Sequence, residues 1–369
     1  TSFWLVYKRS AMERKTFFPL LIMFVLILLS SQVHWLARPH IFTFLLLALW
    51  MIVLEKMRKG SPRAWWWLPL MMLAWVNLHG AFIAGFVTWL LFGAGLALDL
   101  LFLKPVDGSP LPSRCWRYYA LGGITSLLVT LANPSGLGLW KTSVGYVSNK
   151  FMVDHTVEYQ SPDFHLAEAW PFLIFIVLLV LATGLRNRRT RAEWLLPSIA
   201  WLAMGLYSWR NVPLFVIVAS PLLTEGLEDL QLILQSGNKF LERLFKRDDN
   251  LYQINISLKG TLWPVAAVII ALAGLTAGIK FDTKLTGNVY DPAKFPVDAV
   301  NWLQKNPQEG EMFNYFIWGG YLLYLEWPDM KVFIDGQTDF YGEQLTREYL
   351  DVLTLPPGWE SIRSAHHVD

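Results

Sequence analysis

Long apolar runs separated by short polar loops constrain the fold of this chain more than any other feature. A helix needs about 20 mainly apolar residues to cross the roughly 30 Å hydrocarbon core of a bilayer. Only 16% of the residues are charged, whereas soluble domains average about 25%. We therefore predict a mainly α, polytopic membrane helical bundle. It has about nine spans, at residues 16–36, 39–57, 64–79, 80–103, 117–134, 170–186, 193–209, 211–226 and 262–280.

The distribution of lysine and arginine between the loops predicts the orientation of the helices. One set of alternating loops carries twenty basic residues and the other carries four. Cytoplasmic loops of membrane proteins hold the excess of basic residues, so the rich set is assigned to the cytoplasm. It includes an amphipathic segment at 225–261, which we expect to lie on the membrane surface. The loop at 133–169 and the chain after Lys280 then lie on the non-cytoplasmic side.

The non-cytoplasmic loop at 133–169 concentrates titratable side chains. Ionisable groups between membrane helices often belong to a functional site, although any loop is polar because its backbone needs water. A carboxylate here can serve as a general base, and carboxylates with imidazoles can bind a divalent metal ion. The spacing matches no defined metal motif, so both roles stay open. The candidate catalytic residues are Asp154, Glu158 and Asp163, and the candidate ligands are His155 and His165.

Three polar residues at tight connections between apolar runs are candidates for binding a phosphate. Arg38, His79 and Arg210 lie in connections at 37–40, 78–80 and 209–213. Each connection is short enough to predict an antiparallel helical hairpin. A guanidinium can hold a phosphate through two parallel hydrogen bonds. The alternatives are that the arginines extend to lipid headgroups and that His79 is a structural residue at a helix end.

After Lys280 the composition becomes that of a small domain outside the membrane. The pattern predicts helices at 296–303, 319–326 and 343–353, and strands at 311–316 and 331–335. Strands that alternate with helices are typical of parallel βαβ units. Asp335 and Asp339 follow the second strand, where such sheets place ligand-binding residues, or they only cap turns. We therefore predict a transmembrane domain at 1–280 and a non-cytoplasmic α/β domain at 281–369.

The remaining composition excludes several classes of protein. The single cysteine, Cys115, excludes an internal disulfide framework and a cysteine-based zinc site. The net charge is +2 and the basic residues are scattered, which argues against a nucleic-acid partner. Thr1 and Asp369 look like cut points, so we expect both domains to be incomplete, with spans missing upstream and a strand missing downstream.

Six short motifs together suggest one group of bacterial membrane proteins. They lie at residues 77–80, 133–134, 158–163, 210–211, 313–321 and 332–336. On these motifs the chain resembles the C-type membrane glycosyltransferases, which include dolichyl-phosphate-mannose protein mannosyltransferases and lipid-linked arabinosyltransferases. The resemblance covers nearly the whole chain.

The resemblance implies inverting transfer of a sugar from a polyprenyl-phosphate donor at the outer leaflet of the bacterial plasma membrane. It also implies a carboxylate base and often a divalent metal ion. The main catalytic acid of that group lies in the first outer loop, which we expect to precede Thr1. Arg38, His79 and Arg210 would then hold the donor phosphate. The loop at 133–169 and the C-terminal domain would face the acceptor, with His155, His165, Asp335 and Asp339 as candidates.

Two other functions stay open on the sequence alone. A non-catalytic membrane scaffold or accessory subunit is compatible with the lack of any recognised catalytic motif. A transporter would typically carry charges at mid-span or show broken helices in repeated halves. Asp99 is the only acidic residue well inside a predicted span, which gives a transporter little support.

Overall fold

The chain divides into two compact units. Unit 1 comprises residues 1–148 and 156–264, and unit 2 comprises residues 149–155 and 265–369. The computed structural model describes residues 2–13, 16–35, 38–103, 113–154, 156–186, 189–235, 239–258, 290–308 and 310–368, and the statements below concern these residues. The predicted span at 262–280 lies outside them.

Unit 1 is a bundle of helices, in agreement with the predicted fold class. Apolar runs form these helices, and a proline in the first turn starts the helices at Phe18–Ser31 and Trp170–Gly184 without losing a hydrogen bond. Pro197 and Pro221 lie inside two others, Ala192–Tyr207 and Val212–Gln235. In chain order the helices are α1 (Ser2–Glu13), α2 (Phe18–Ser31), α3 (His40–Arg58), α4 (Trp67–Leu78), α5 (Ile83–Leu98), α6 (Ser113–Val129), α7 (Gly138–Ser148), α9 (Trp170–Gly184), α10 (Ala192–Tyr207), α11 (Val212–Gln235) and α12 (Lys239–Ser257).

Three helical segments of the described chain are long and apolar enough to cross a membrane: His40–Arg58, Gly80–Phe102 and Ala167–Gly184. A fourth, Phe18–His34, is apolar but shorter. The other predicted spans within the described residues form helices that are too short or insufficiently apolar by the same measure. The larger number of crossings therefore stays a prediction.

Two of the shorter helices end at backbone breaks of the same form. α4 stops because His79 is extended (φ −158°, ψ 136°), and one 3₁₀ turn at Gly80–Phe82 then leads into α5. α10 stops because Ser208 is extended (φ −146°, ψ 126°), and a 3₁₀ turn at Trp209–Asn211 leads into α11. Each break frees backbone polar groups at a predicted outer hairpin tip.

α11 lies at the centre of unit 1. Residues 212–219 are all buried. Phe215 packs edge-on against Phe172 and Phe175 of α9 at centroid distances of 5.7 and 5.3 Å. α11 packs extensively on α10, α2 and α9, which confirms the predicted α10–α11 hairpin. In contrast, α4 packs mainly on α6, and α5 on α10. The tight turn at 78–80 therefore does not lay α4 and α5 side by side.

The other face of α9 carries large apolar side chains that are exposed among the described residues. Leu173, Ile174, Val177, Val180 and Leu181 are each at least 40% exposed. A continuous apolar face of this kind is unfavourable in water and suits contact with lipid. It agrees with the membrane-compatible length of this helix.

Basic residues from the arginine-rich loops form ion pairs at the predicted cytoplasmic end of unit 1. Removing one partner from a buried pair is costly, because it leaves an uncompensated charge. These residues therefore have a structural use beyond orienting the chain. The pairs are Arg9–Glu55 (2.6 Å), Arg58–Glu193 (2.6 Å), Arg186–Glu225 (3.0 Å), Arg186–Asp229 (2.7 Å) and Arg189–Asp99 (3.1 Å).

The predicted amphipathic segment at 225–261 forms the end of α11 and the whole of α12. α12 continues through the charged residues at 246–249, and Asp248 among them is buried. Its Oδ1 accepts hydrogen bonds from the backbone N–H groups of Phe17 (2.9 Å) and Phe18 (2.6 Å), and its Oδ2 accepts one from Gln231 (3.0 Å). A carboxylate of α12 thus caps the N-terminus of α2, and the segment packs on the bundle.

Unit 2 confirms the three predicted helices of the C-terminal domain. α13 (Val297–Leu303), α14 (Gly319–Glu326) and α15 (Thr338–Thr354) occupy the predicted positions, and α16 (Trp359–Ala365) follows them. A small core of Val300, Tyr321 and Leu322 holds α13 against α14. A further short helix, α8 (Lys150–Asp154), comes from the loop at 133–169.

The strands predicted at 311–316 and 331–335 are not formed in the described part of unit 2, so the α/β prediction is corrected there. Pairing is limited to two isolated parallel bridges, Glu311–Val368 and Met312–Val332. The Asn314 side chain makes hydrogen bonds in place of backbone pairing between strands. Its Oδ1 accepts a hydrogen bond from Phe333 N (2.7 Å), and its Nδ2 donates one to Ile334 O (2.8 Å). The segments are extended, but a side chain satisfies their backbone groups.

α8 is held on α15 by polar and aromatic contacts within unit 2. Asn149 donates to Glu343 Oε2 (3.0 Å), and the Arg347 guanidinium carbon lies 3.8 Å from the centroid of the Phe151 ring. Arg347 also donates to Glu343 Oε1 through Nε (2.9 Å) and Nη2 (2.6 Å). Segments in contact share one aqueous compartment. This part of the loop and the C-terminal helix therefore lie on one side of any membrane.

We expect α8 to detach from α15 in acid. Hydrogen bonds from Arg347, and then from Asn149, hold the pKa of Glu343 below its usual value, and a hydrogen bond from His366 does the same for the pKa of Glu348. A carboxylate with a depressed folded pKa stabilises the fold above its unfolded pKa of about 4.3, and this stabilisation is lost as pH falls through the folded pKa.

Hydrogen exchange, normalised for its intrinsic pH dependence, measures this loss. Protection of residues 149–154 should persist from neutral pH to about pH 5 and fall below about pH 4. Glu343→Gln should weaken protection at neutral pH and remove most of its pH dependence. Glu360→Gln, at an exposed position of α16, is the matched control and should behave as wild type. Full protection of wild-type α8 well below pH 4 would contradict the assignment.

Candidate functional site

Four segments of unit 1 meet where the predicted hairpin tips lie. We call their side chains the polar cluster: it comprises Arg38, His34, His40, Thr43, His79, Glu158, Tyr159 and Arg210. The structure therefore brings together all three predicted phosphate ligands and one predicted catalytic carboxylate, Glu158. They come from the connection before α3, the ends of α4 and α10, and the 3₁₀ turn at Val157–Tyr159.

Arg210 offers unused hydrogen-bond donors to this cluster. Its Nη1 donates to the hydroxyl of Tyr159 (2.7 Å), and its guanidinium carbon lies 5.2 Å from the centroid of the Tyr159 ring. The side chain is half-buried, and among the described residues it has no carboxylate partner. A guanidinium has five N–H donors. Arg210 is thus oriented by Tyr159 while keeping donors and a positive charge for an anion.

Glu158 is fixed between two loops. Its carboxylate forms an ion pair with Arg38, whose side chain is 56% exposed against 34% for Glu158. Its backbone carbonyl accepts a hydrogen bond from Ser208 Oγ (3.1 Å), and the neighbouring Gln160 carbonyl accepts one from Trp209 N (2.9 Å). These bonds attach the end of the loop at 133–169 to the tip that carries Arg210.

His34 and His40 were not predicted, and they connect the first tip to the third. The buried His34 donates from Nε2 to the carbonyl of Trp209 (3.0 Å), and His40 donates from Nε2 to the carbonyl of His34 (2.7 Å). A carbonyl oxygen only accepts, so both Nε2 atoms carry a proton. The sequence carried no signal for this role, because each histidine finds its partner through the fold.

His79 is held by buried side chains. Its Nδ1 lies 2.8 Å from the hydroxyl oxygen of Thr43, which also accepts a hydrogen bond from Trp75 Nε1 (2.9 Å). Arg210 and His40 are close enough for their charges to act on His79. His79 therefore faces the same cluster as Arg210.

Three of the loop candidates, Asp154, Asp163 and His165, lie outside the polar cluster. Asp163 accepts a hydrogen bond from the backbone N–H of His165 (2.9 Å), which closes a local turn, and both side chains are exposed. Asp154 is exposed at the end of α8 in unit 2. Candidate His155 falls outside the described residues.

The C-terminal candidates occupy a turn in unit 2. Asp335 is buried, and its Oδ1 accepts a hydrogen bond from Gln337 N (2.7 Å), the geometry of a residue that caps a turn. Asp339 lies in the first turn of α15. The structure thus supports the turn-capping alternative for Asp335.

The polar cluster does not fit a divalent metal ion. Its one carboxylate is paired with Arg38, and two of its three imidazoles donate from Nε2 to carbonyl oxygens. Across the described ranges, no group of three or more His, Cys, Asp or Glu side chains could hold a metal ion. The predicted divalent ion has no site among the described residues, and it stays a prediction.

The charge of the polar cluster suits an anion. Two arginines against one glutamate give a net charge of +1 when the histidines are neutral. The donors of Arg210 lie beside Tyr159 and His79 at the end of apolar helices. Comparison with known protein families, with curated proteins and with solved structures finds no match to this chain.

Proposed function

We propose that the polar cluster binds the phosphate of a polyprenyl-phosphate-linked sugar at the outer leaflet, and that the protein is a glycosyltransferase that transfers this sugar. The observation that carries the proposal is the convergence of Arg38, His79 and Arg210 with Glu158 at one end of the bundle. Such a donor has a charged head on an apolar chain, and the cluster lies at the end of helices with exposed apolar faces.

Arg210 is assigned as the principal phosphate ligand. Its guanidinium can present two parallel donors to two phosphate oxygens, and Tyr159 holds its orientation. In sugar transfer the bond between the sugar carbon and the phosphate oxygen breaks, and its electron pair goes to the phosphate. Donors directed at that oxygen stabilise the charge that develops there.

Glu158 is assigned a positioning role. It holds Arg38 at the edge of the cluster through their ion pair, so that a second guanidinium is near the phosphate. The glycosyltransferases that this chain resembles take the acceptor proton with a carboxylate in an earlier loop. In this proposal the residues of the polar cluster hold the leaving phosphate, and the acceptor proton goes to a carboxylate of the kind that those enzymes use.

Arg210→Ala tests the proposed function. With full-length protein in liposomes and a polyprenyl-phosphate sugar as donor, sugar release or transfer should fall by about tenfold to a hundredfold, the usual effect of a lost charge-assisted bond at a reacting oxygen. Arg210→Lys should recover only part of the activity, because an ammonium group lacks the paired donors.

Two exposed basic residues provide matched controls. Arg117→Ala, at the start of α6, and Lys141→Ala, on α7, remove the same charge away from the polar cluster and should leave activity within about twofold. An equal loss of activity in Arg210→Ala, Arg117→Ala and Lys141→Ala would refute the assignment of Arg210 as the phosphate ligand. If wild-type protein releases or transfers no sugar with any divalent ion, the proposed glycosyltransferase activity is refuted. That result would favour a non-catalytic membrane scaffold.

A further inference from the structure

A chain of hydrogen bonds determines which ring nitrogen of His79 carries its proton. Trp75 Nε1 donates to Thr43 Oγ1 (2.9 Å), and Thr43 Oγ1 lies 2.8 Å from His79 Nδ1. Trp75 is 0% exposed and Thr43 is 2% exposed. The direction of the first bond is certain from chemistry, because an indole N–H can only donate.

The direction of the second bond follows from the single hydrogen of Thr43. If His79 Nδ1 were protonated, Thr43 would accept two hydrogen bonds, and its own hydrogen would lack a partner among the described contacts. A buried polar group without a partner is unfavourable. If Nδ1 accepts instead, the groups of Trp75, Thr43 and His79 Nδ1 are all satisfied. The neutral ring of His79 therefore carries its proton on Nε2.

The Nε2–H group has no hydrogen-bond partner among the described residues, although His79 is half-buried. Its neighbours in the polar cluster include Arg210 and His40. The Nε2–H group of His79 is thus available to a ligand that also accepts hydrogen bonds from Arg210.

We propose that His79 donates a neutral hydrogen bond from Nε2 to a phosphate oxygen of the lipid-linked donor, and that Thr43 and Trp75 are positioning residues that hold its tautomer. This inference rests on the proposed phosphate site and specifies the atom and protonation state through which His79 binds there. A neutral donor recognises an oxygen acceptor without adding charge. His79 can therefore bind a phosphate whose charge Arg210 already balances.

The tautomer is measured by long-range ¹H–¹⁵N NMR of the full chain in nanodiscs with ¹⁵N-labelled histidine. Only seven histidines contribute signals, and His79→Gln identifies the one of interest. We expect an Nε2 shift of the protonated type and an Nδ1 shift of the unprotonated type. Thr43→Ser should keep this pattern, whereas Thr43→Val should produce a mixture. A proton on Nδ1 in the wild type would overturn the inference.

The ligand is tested by titrating the same sample with polyprenyl phosphate and, separately, with inorganic phosphate. The Nε2 signals of His79 should move with the lipid phosphate, and its affinity should fall about three- to tenfold in Thr43→Val but not in Thr43→Ser. An equal response to inorganic phosphate would overturn the lipid-linked ligand.

The two proposals fail in different ways. If lipid phosphate binds in an Arg210-dependent manner while the His79 signals stay fixed, His79 is not a ligand, and the proposed function stands. If lipid phosphate does not bind wild-type protein at all, the proposed function and the ligand of His79 are both overturned, whatever the tautomer.

Discussion

Asp248→Ala should lower the free energy of unfolding of unit 1 by about 3 kcal/mol, because it strips three hydrogen bonds from a buried site. The backbone N–H groups of Phe17 and Phe18 would lose this capping acceptor, and the Gln231 amide would lose its charged partner. The carboxylate also lies at the N-terminus of α2, where a negative charge is favourable.

Denaturation of the purified protein in mixed micelles, followed by tryptophan fluorescence, measures this loss. Asp248→Asn keeps the shape and one acceptor oxygen, so it should cost about half as much. Asn250→Ala, at an exposed position of the same helix, should change stability by less than about 0.5 kcal/mol. If Asp248→Ala is as stable as Asn250→Ala, α12 does not pack on the bundle as described.

Gly95→Ala should lower stability by about 1–3 kcal/mol, because α5 approaches the start of α10 too closely for a side chain. A Cβ atom at Gly95 would lie 2.4 Å from the backbone of Ala192 and Glu193. One turn later, directly after the end of α5, Asp99 accepts a hydrogen bond from Ala192 N (2.9 Å). The added methyl group would push this acceptor away from the N-terminus that it caps.

Gly145→Ala provides the opposite expectation from the same chemical change. Gly145 lies inside α7 with nothing near its missing Cβ, so alanine should stabilise that helix by up to about 1 kcal/mol. The two variants should therefore differ in sign in the same denaturation assay. A neutral or stabilising Gly95→Ala would show that α5 and α10 are farther apart than the structure has them.

The sequence alone predicted much of the polar cluster because sidedness is a global property of the loops. Arg38, His79 and Arg210 were selected for lying at hairpin tips on one predicted side. In the structure Arg38 pairs with Glu158, Arg210 bonds the adjacent Tyr159, and His79 lies near Arg210. His34, His40 and Tyr159 were missed because their partners are a backbone carbonyl or a guanidinium on another loop. No local pattern encodes such a pairing.

Other differences between prediction and structure have the same origin. The pattern at 311–316 and 331–335 is that of strands, but the Asn314 side chain occupies the backbone groups that a ladder would use. Asp248 lies in a charged run that is typical of a helix end, yet it is buried by a cap on another helix. In each case the outcome depends on a contact with a distant part of the chain, and the periodicity of a single sequence does not show such contacts.

Cysteine labelling tests most directly the proposal that the polar cluster and unit 2 both face the non-cytoplasmic compartment. After Cys115→Ala, single cysteines are placed at exposed Asp163, Gln308 and Arg63. Cells expressing each variant are treated with a membrane-impermeant maleimide. The account predicts labelling of Asp163→Cys and Gln308→Cys in intact cells, and of Arg63→Cys only after permeabilisation. Labelling of Asp163→Cys and Gln308→Cys from opposite sides, or of Arg63→Cys alone in intact cells, would contradict it.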